Sequence, residues 1–233
     1  MPGSFRARRP TLKKHFLLFC QARTLVSAQM PVRPAHSDSQ PRKLRILGVD
    51  PAVAGATGYG VIEVEGSVAR PMRFGALRFP ESITFAVRLR EIHFLISGLV
   101  EQFSPHAVAV ESVFAALNVR TALKLAEMRG VVLLAAAQAQ IPAHSYSPRE
   151  VKESVAGFGG ASKPQIQQMV RSLLGLPDAP QPADAADALA VALCHAWASR
   201  ARDRMATASQ SRWAARPGAG TTRAASDSLS RGR

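Results

Sequence analysis

The sequence predicts an α/β fold: a mixed five-stranded sheet, three antiparallel strands followed by parallel ones, with helices flanking it. Two patterns carry the prediction. Three short apolar runs come first in series, with glycines at the turns, as an antiparallel meander requires. Beyond Pro80 the apolar spacing changes to three and four residues and alternates with further short apolar runs, giving the order βββαβαβααα.

Each element has its own signal. LRILGVD is a compact apolar run suited to a buried strand, TGYGVIEVEG continues with Val61 and Val64 up to a Gly turn, and VARPMRFGALRFP reads as a third strand ending at Pro80. ESITFAVRLREIHFLISGLVEQF sets Phe85, Leu89, Ile92, Ile96 and Leu99 on one helical stripe that ends near Ser104 and Pro105. AVAVE is a strand, NVRTALKLAEMRGVVLLAAAQAQ a long Ala-rich helix, and IPAHSYS a short strand. SPREVKESVAG and SKPQIQQMVRSLLG are helices with Ser147 and Ser162 at their N-caps and Pro148 in a first turn. The last helix is expected from about Asp184 to Trp197.

The 233 residues carry 30 Lys/Arg against 16 Asp/Glu, but the excess is not spread evenly. Nine basic residues face Asp38 alone in 1–43, eight Arg face Asp203 and Asp227 in 200–233, and 44–199 holds thirteen of each sign. The two basic ends are low in complexity, so 1–43 is expected to be a disordered N-terminal extension and 201–233 a disordered C-terminal tail around a domain at 44–200. Met30 offers a second start. Cys20 and Cys194 are too few and too far apart for a disulfide framework and suit a reducing compartment. HFLLFC is short and broken by Gln21, Ala22 and Arg23, unlike a secretory signal, and no segment approaches the ~20 apolar residues that cross a bilayer. The expectation is a cytoplasmic protein with no membrane partner.

The informative residues are four carboxylates. Asp50 closes RILGVD and Glu111 closes AVAVE, so both stand at strand ends; Asp184 and Asp187 share one helix face at a spacing of three. Taken singly, Asp50 opens a turn before Pro51, Glu111 is a solvated strand end, and Asp184 is an N-cap with Asp187 in the first turn. Taken together they are hard oxygen donors on separate rigid elements, the set that Mg²⁺ prefers. Two such ions ~4 Å apart activate water and stabilise the leaving oxygen in phosphodiester hydrolysis.

GVDPAVAGATGYGVI, AVESVF with Asn118 and ALKLAEMRG, SPREVKESV and QPADAADALAVAL, in that order over roughly 44–199, resemble the RuvC family of Holliday-junction resolvases. The resemblance implies an RNase H-like fold and a homodimer using the long helix 118–140. It also implies paired symmetric nicks in four-way junction DNA during homologous recombination and repair, and association with the RuvA and RuvB branch-migration proteins. It implies metal ligands at Asp50, Glu111, Asp184 and Asp187, holding two Mg²⁺ per active site with Mn²⁺ able to substitute. Lys152 and Lys163 match lysines that contact DNA near the scissile phosphate, and Phe114 matches an aromatic that reaches into the junction. The residues agree: a Lys is a compact cation for a phosphate oxygen, and a Phe stacks on an unpaired base.

The chain departs from the family in two places. Ala52 stands where Gly usually follows Asp-Pro, with a loop to Gly58 one residue longer, and Leu117 stands where a basic residue often precedes Asn118; Arg120 is the expected substitute DNA contact. Two other functions compete. An actin-like ATPase would explain a glycine-bearing DPAVAGATGYG loop, but the domain is too short for two lobes. A non-catalytic branched-DNA-binding protein is disfavoured by the retention of all four carboxylates. His144 and His195 have no ligand-like partners in sequence and are read as structural, as is Cys194.

Overall fold

The computed structural model describes residues 43–112 and 118–214. The strands are β1 (Leu44–Asp50), β2 (Ala56–Glu65), β3 (Val68–Arg78), β4 (Ala107–Glu111) and β5 (Ala143–Tyr146). The helices are α1 (Phe85–Phe103), α2 (Val119–Gln138), α3 (Pro148–Ala156), α4 (Lys163–Leu174) and α5 (Ala183–Ala214). The sheet order is β3-β2-β1-β4-β5. β1 pairs antiparallel with β2 and parallel with β4, β2 pairs antiparallel with β3, and β4 pairs parallel with β5.

Because side chains alternate across a pleated sheet, each central strand feeds two cores. Ile46, Ile62 and Ala109 pack with Leu189 and Leu193 of α5 and with Val151, Ile166 and Val170 of α3 and α4. Leu47, Val49, Val61, Val108 and Val110 face the other way, against Ile92 and Ile96 of α1 and Met128 and Val132 of α2. The sheet is therefore covered on both faces, which is why β1 and β4 are apolar nearly throughout.

Local chemistry fixes the helix starts. Thr84 and Asn118 accept from the backbone N–H groups of Val87 and Thr121, at 3.4 and 2.9 Å. Ser147 and Glu150 form a reciprocal capping box at α3. At α4 the Ser162 N–H and hydroxyl both donate to Gln165 Oε1, at 2.8 and 3.0 Å. β3 contains Pro71, which a strand tolerates only where its missing N–H is not needed; β3 is an edge strand, and its register with β2 slips beside Ile62, which pairs with Pro71.

One boundary differs from expectation. α5 does not stop near Trp197 but continues to Ala214, into the stretch expected to lack structure from residue 201. No Gly or Pro lies between Ala183 and Ala214, and the added turns are rich in Ala and Arg, both strong helix formers. Residues 1–42 and 215–233, with most of the expected basic extensions, lie outside the described residues, while Lys43 ion-pairs with Glu63 at 3.5 Å.

Candidate active site

Pleat parity decides which carboxylates meet. Asp50 lies two residues beyond Gly48 and Glu111 two beyond Ala109, so both project to the α5 face of the sheet. The parallel β1–β4 ladder, in which Val49 faces Val110, leaves Asp50 and Glu111 at adjacent strand ends. α5 can approach this end closely because the sheet there lacks side chains. A Cβ at Gly48 would collide with the Ala188 carbonyl and one at Gly58 with the Asp184 carbonyl, while one at Gly60 would stand 2.7 Å from Leu189. Gly58 is the ladder partner of Asp50, so the start of α5 is seated one strand from β1.

A cavity of about 260 Å³ opens here, lined by Asp50, Glu111 and Asp187 and by Lys152 of α3 and Lys163 of α4. Asp184 stands outside that lining, 3.9 Å from the exposed Arg78 guanidinium of β3. Lys163 Nζ approaches Asp187 Oδ2 at 3.3 Å. The pairing holds the ammonium protonated above its ordinary range, with Asp187 the largest influence.

The carboxylates repel one another in a poorly solvated place. Burial pushes Asp50 well above the usual carboxylate range, and the charges of Glu111, Asp187 and Asp184 add to it against the opposing Lys163. Burial and Asp187 push Glu111 up to about 7, opposed by Lys163 and Lys152. Asp187 is raised by burial, with Lys163 opposing and Asp184 adding. Against four carboxylates the two lysines leave the cluster short of cationic charge. Among the described residues no three His, Cys, Asp or Glu side chains are already spaced as a metal-ligand set. Lys163 occupies part of that role by pairing with Asp187, and the donor set is otherwise the hard-oxygen type that suits Mg²⁺.

The other expected contacts are placed as follows. Asn118 is exposed, with its carboxamide engaged at the α2 N-cap, and Arg120 is exposed in the first turn of the same helix. Phe114 and Leu117 lie outside the described residues. Ala52 is half-buried at the end of β1. Sequence reasoning missed Arg78, which had no motif, and the packing role of Gly48, Gly58 and Gly60, whose period-two spacing was the available signal. It also missed the stacking of His144 on His195, whose ring centroids are 4.5 Å apart, and the hydrogen bond between Tyr146 Oη and His195 Nδ1 at 2.8 Å.

Residues 46–195 match the family described as crossover junction endodeoxyribonuclease RuvC. The chain belongs to the RuvC family. It is 47% identical over 154 residues to a RuvC of Chloroflexus aggregans, covering 66% of this chain and 93% of that one. It is 46% identical over 160 residues to a RuvC of Desulfitobacterium hafniense, covering 69% and 96%. The solved Thermus thermophilus RuvC superposes with a TM-score of 0.62 at 37% identity, covering 67% of this chain and 96% of that structure. The same protein in complex with a Holliday junction substrate gives 0.61 at 35%, covering 67% and 96%. The RuvC neighbours and the mixed five-stranded sheet with flanking helices make the fold RNase H-like.

Proposed function

We propose that this chain is a RuvC-type crossover junction endodeoxyribonuclease that resolves Holliday junctions by paired symmetric nicks in recombination and repair. The observation that carries the reading is the convergence of Asp50, Glu111 and Asp187 with two lysines on one cavity at the C-terminal ends of β1 and β4. Asp184 is near enough for its charge to act on Asp50. In this reading Asp50, Glu111, Asp184 and Asp187 hold two Mg²⁺, replaceable by Mn²⁺. When bound, the ions supply Lewis acidity at the phosphate and lower the pKa of water.

The chain's own groups do the positioning. Lys152 and Lys163 supply point charges for the phosphate oxygens, and Lys163 exchanges its Asp187 partner for the phosphate as DNA enters. Phe114 and Asn118 lie along the chain between Glu111 and α2 and Arg120 in the first turn of α2, and in this reading all three contact junction strands. A homodimer is supported by large apolar side chains exposed on the two adjacent helices: Phe94 of α1 at 61%, and Leu123 and Leu134 of α2 at 60% and 52%. Association with RuvA and RuvB and a cytoplasmic location belong to the same reading, and no helix among the described residues is long and apolar enough to cross a membrane.

Incubation with a synthetic four-way junction and Mg²⁺ tests it. Paired nicks with 5′-phosphate ends are expected, and they are lost in Asp50→Asn, Glu111→Gln, Asp184→Asn and Asp187→Asn. Wild-type cutting by the Asp50 or Asp187 variant sinks the assigned chemistry. Junction binding without cleavage in either metal would make the protein a non-catalytic junction binder instead.

A further inference from the structure

A second cavity among the described residues is larger than the carboxylate one. It measures about 520 Å³ and is lined at the other end of the sheet by Leu44, the first residue of β1, and Ala107, the first of β4. At about 3.3 Å per residue the length of β1 separates it from Asp50 by roughly 20 Å. Its polar wall includes His106, His144, His195, Arg200, Arg202 and Asp203. Arg200, Arg202 and Asp203 belong to the part of α5 beyond the segment that matches the family, 46–195.

The wall is built rather than incidental. His195 is 3% exposed, stacks on His144 and shares a hydrogen bond with Tyr146, which is itself buried. The Arg202 charge acts on the Tyr146 hydroxyl, whose pKa burial raises and Arg202 lowers. Two guanidiniums and three imidazoles share one space with a single carboxylate, Asp203. Among the described residues neither Arg200 nor Arg202 forms an ion pair. The stacked imidazoles register the crowding: burial, then His144 and Arg202, pull His195 down to about 4, and burial and Arg202 lower His144.

We propose that this cavity binds a phosphate group, which Arg200 and Arg202 clamp against the His144–His195 stack. Paired guanidinium forks and N–H donors match the planar, multi-oxygen face of phosphate. The group comes either from a free phosphate compound or from the backbone of bound DNA. The inference does not depend on what the carboxylate cavity does.

The full-length chain, labelled with ¹⁵N at histidine, tests it by NMR in the absence of divalent metal. Pyrophosphate is titrated first, then a four-way junction, into wild type, Arg200→Gln/Arg202→Gln and Arg202→Lys. The expected result is a saturable shift of the His144 and His195 signals, weakened on the order of tenfold or more in the double variant and partly kept in Arg202→Lys. A response to pyrophosphate alone assigns a free phosphate ligand; a response to the junction assigns a DNA backbone contact. If neither moves the two histidines of wild type, or if the double variant responds as wild type does, the proposal is overturned.

Discussion

Asp50 and Gly58 are partners across the β1–β2 ladder, and the bare α-carbon of Gly58 is the surface on which the Asp184 carbonyl rests. One backbone contact therefore sets the height of α5 above the sheet. It also sets how far Asp184 and Asp187 stand from Asp50.

Gly58→Ala is expected to lift the start of α5, costing ~1–3 kcal/mol of stability through overpacking. Cleavage should fall much further, about a hundredfold for a displacement near 1 Å. Parallel melting curves and junction-cleavage rates check this. A variant that melts lower but cuts normally would separate the glycine contact from the chemistry.

The raised carboxylates make a prediction whose sign is opposite to the usual one. The folded chain binds the Glu111 proton more tightly than the unfolded chain does, at about 7 against the ordinary 4.5. Metal-free stability therefore falls as pH rises through that window. Glu111→Gln should reduce this slope, leaving the part that the raised Asp50 and Asp187 contribute, and, in chelator at about pH 8, raise stability on the order of 1–2 kcal/mol. Added Mg²⁺ should stabilise wild type by ~2.7 kcal/mol at a hundred times its dissociation constant, and progressively less toward acid pH as protons compete. Thermal melts over pH, with and without metal, decide it; a Glu111→Gln protein less stable than wild type in chelator at alkaline pH contradicts it.

Lys163 lowers the proton affinity of Asp50, Glu111 and Asp187 together. Its replacement by Gln should shift the acid limb of the cleavage-rate profile to higher pH, in addition to a loss of about ten- to a hundredfold at the plateau. Arg in its place should keep the limb where it is. An unmoved limb in Lys163→Gln would show that the ammonium acts on DNA only.

Thr57 is fully buried in β2, and its hydroxyl has no hydrogen-bond partner among the described residues. Thr57→Val keeps the shape and removes an unsatisfied donor, so it should stabilise the protein by ~1 kcal/mol with no effect on cutting. Chemical denaturation measures it directly.

Much of this arrangement was legible in the residues. Asp50 and Glu111 each end an apolar run, and strand parity then dictates a common face. Ser147 with Pro148, and Ser162, marked two helix starts by residue type alone. The length of α5 was less legible, because low complexity in 201–233 points to disorder while the absence of Gly and Pro up to Ala214 favours helix. The His144–His195 stack was not legible, since β5 and α5 meet only through tertiary packing and 51 positions separate the two rings. The Lys163–Asp187 pair was hidden for the same reason: a Lys at a helix start carries no mark of which acid it will face.

The slip in β3 beside Pro71 has a consequence for how two copies can meet. One rim of the sheet is kinked and short of a donor, and the opposite rim, β5, offers only four residues. Neither makes a good template for strand addition, so runaway edge-to-edge stacking is discouraged at both sides and self-association is steered toward the helical flanks.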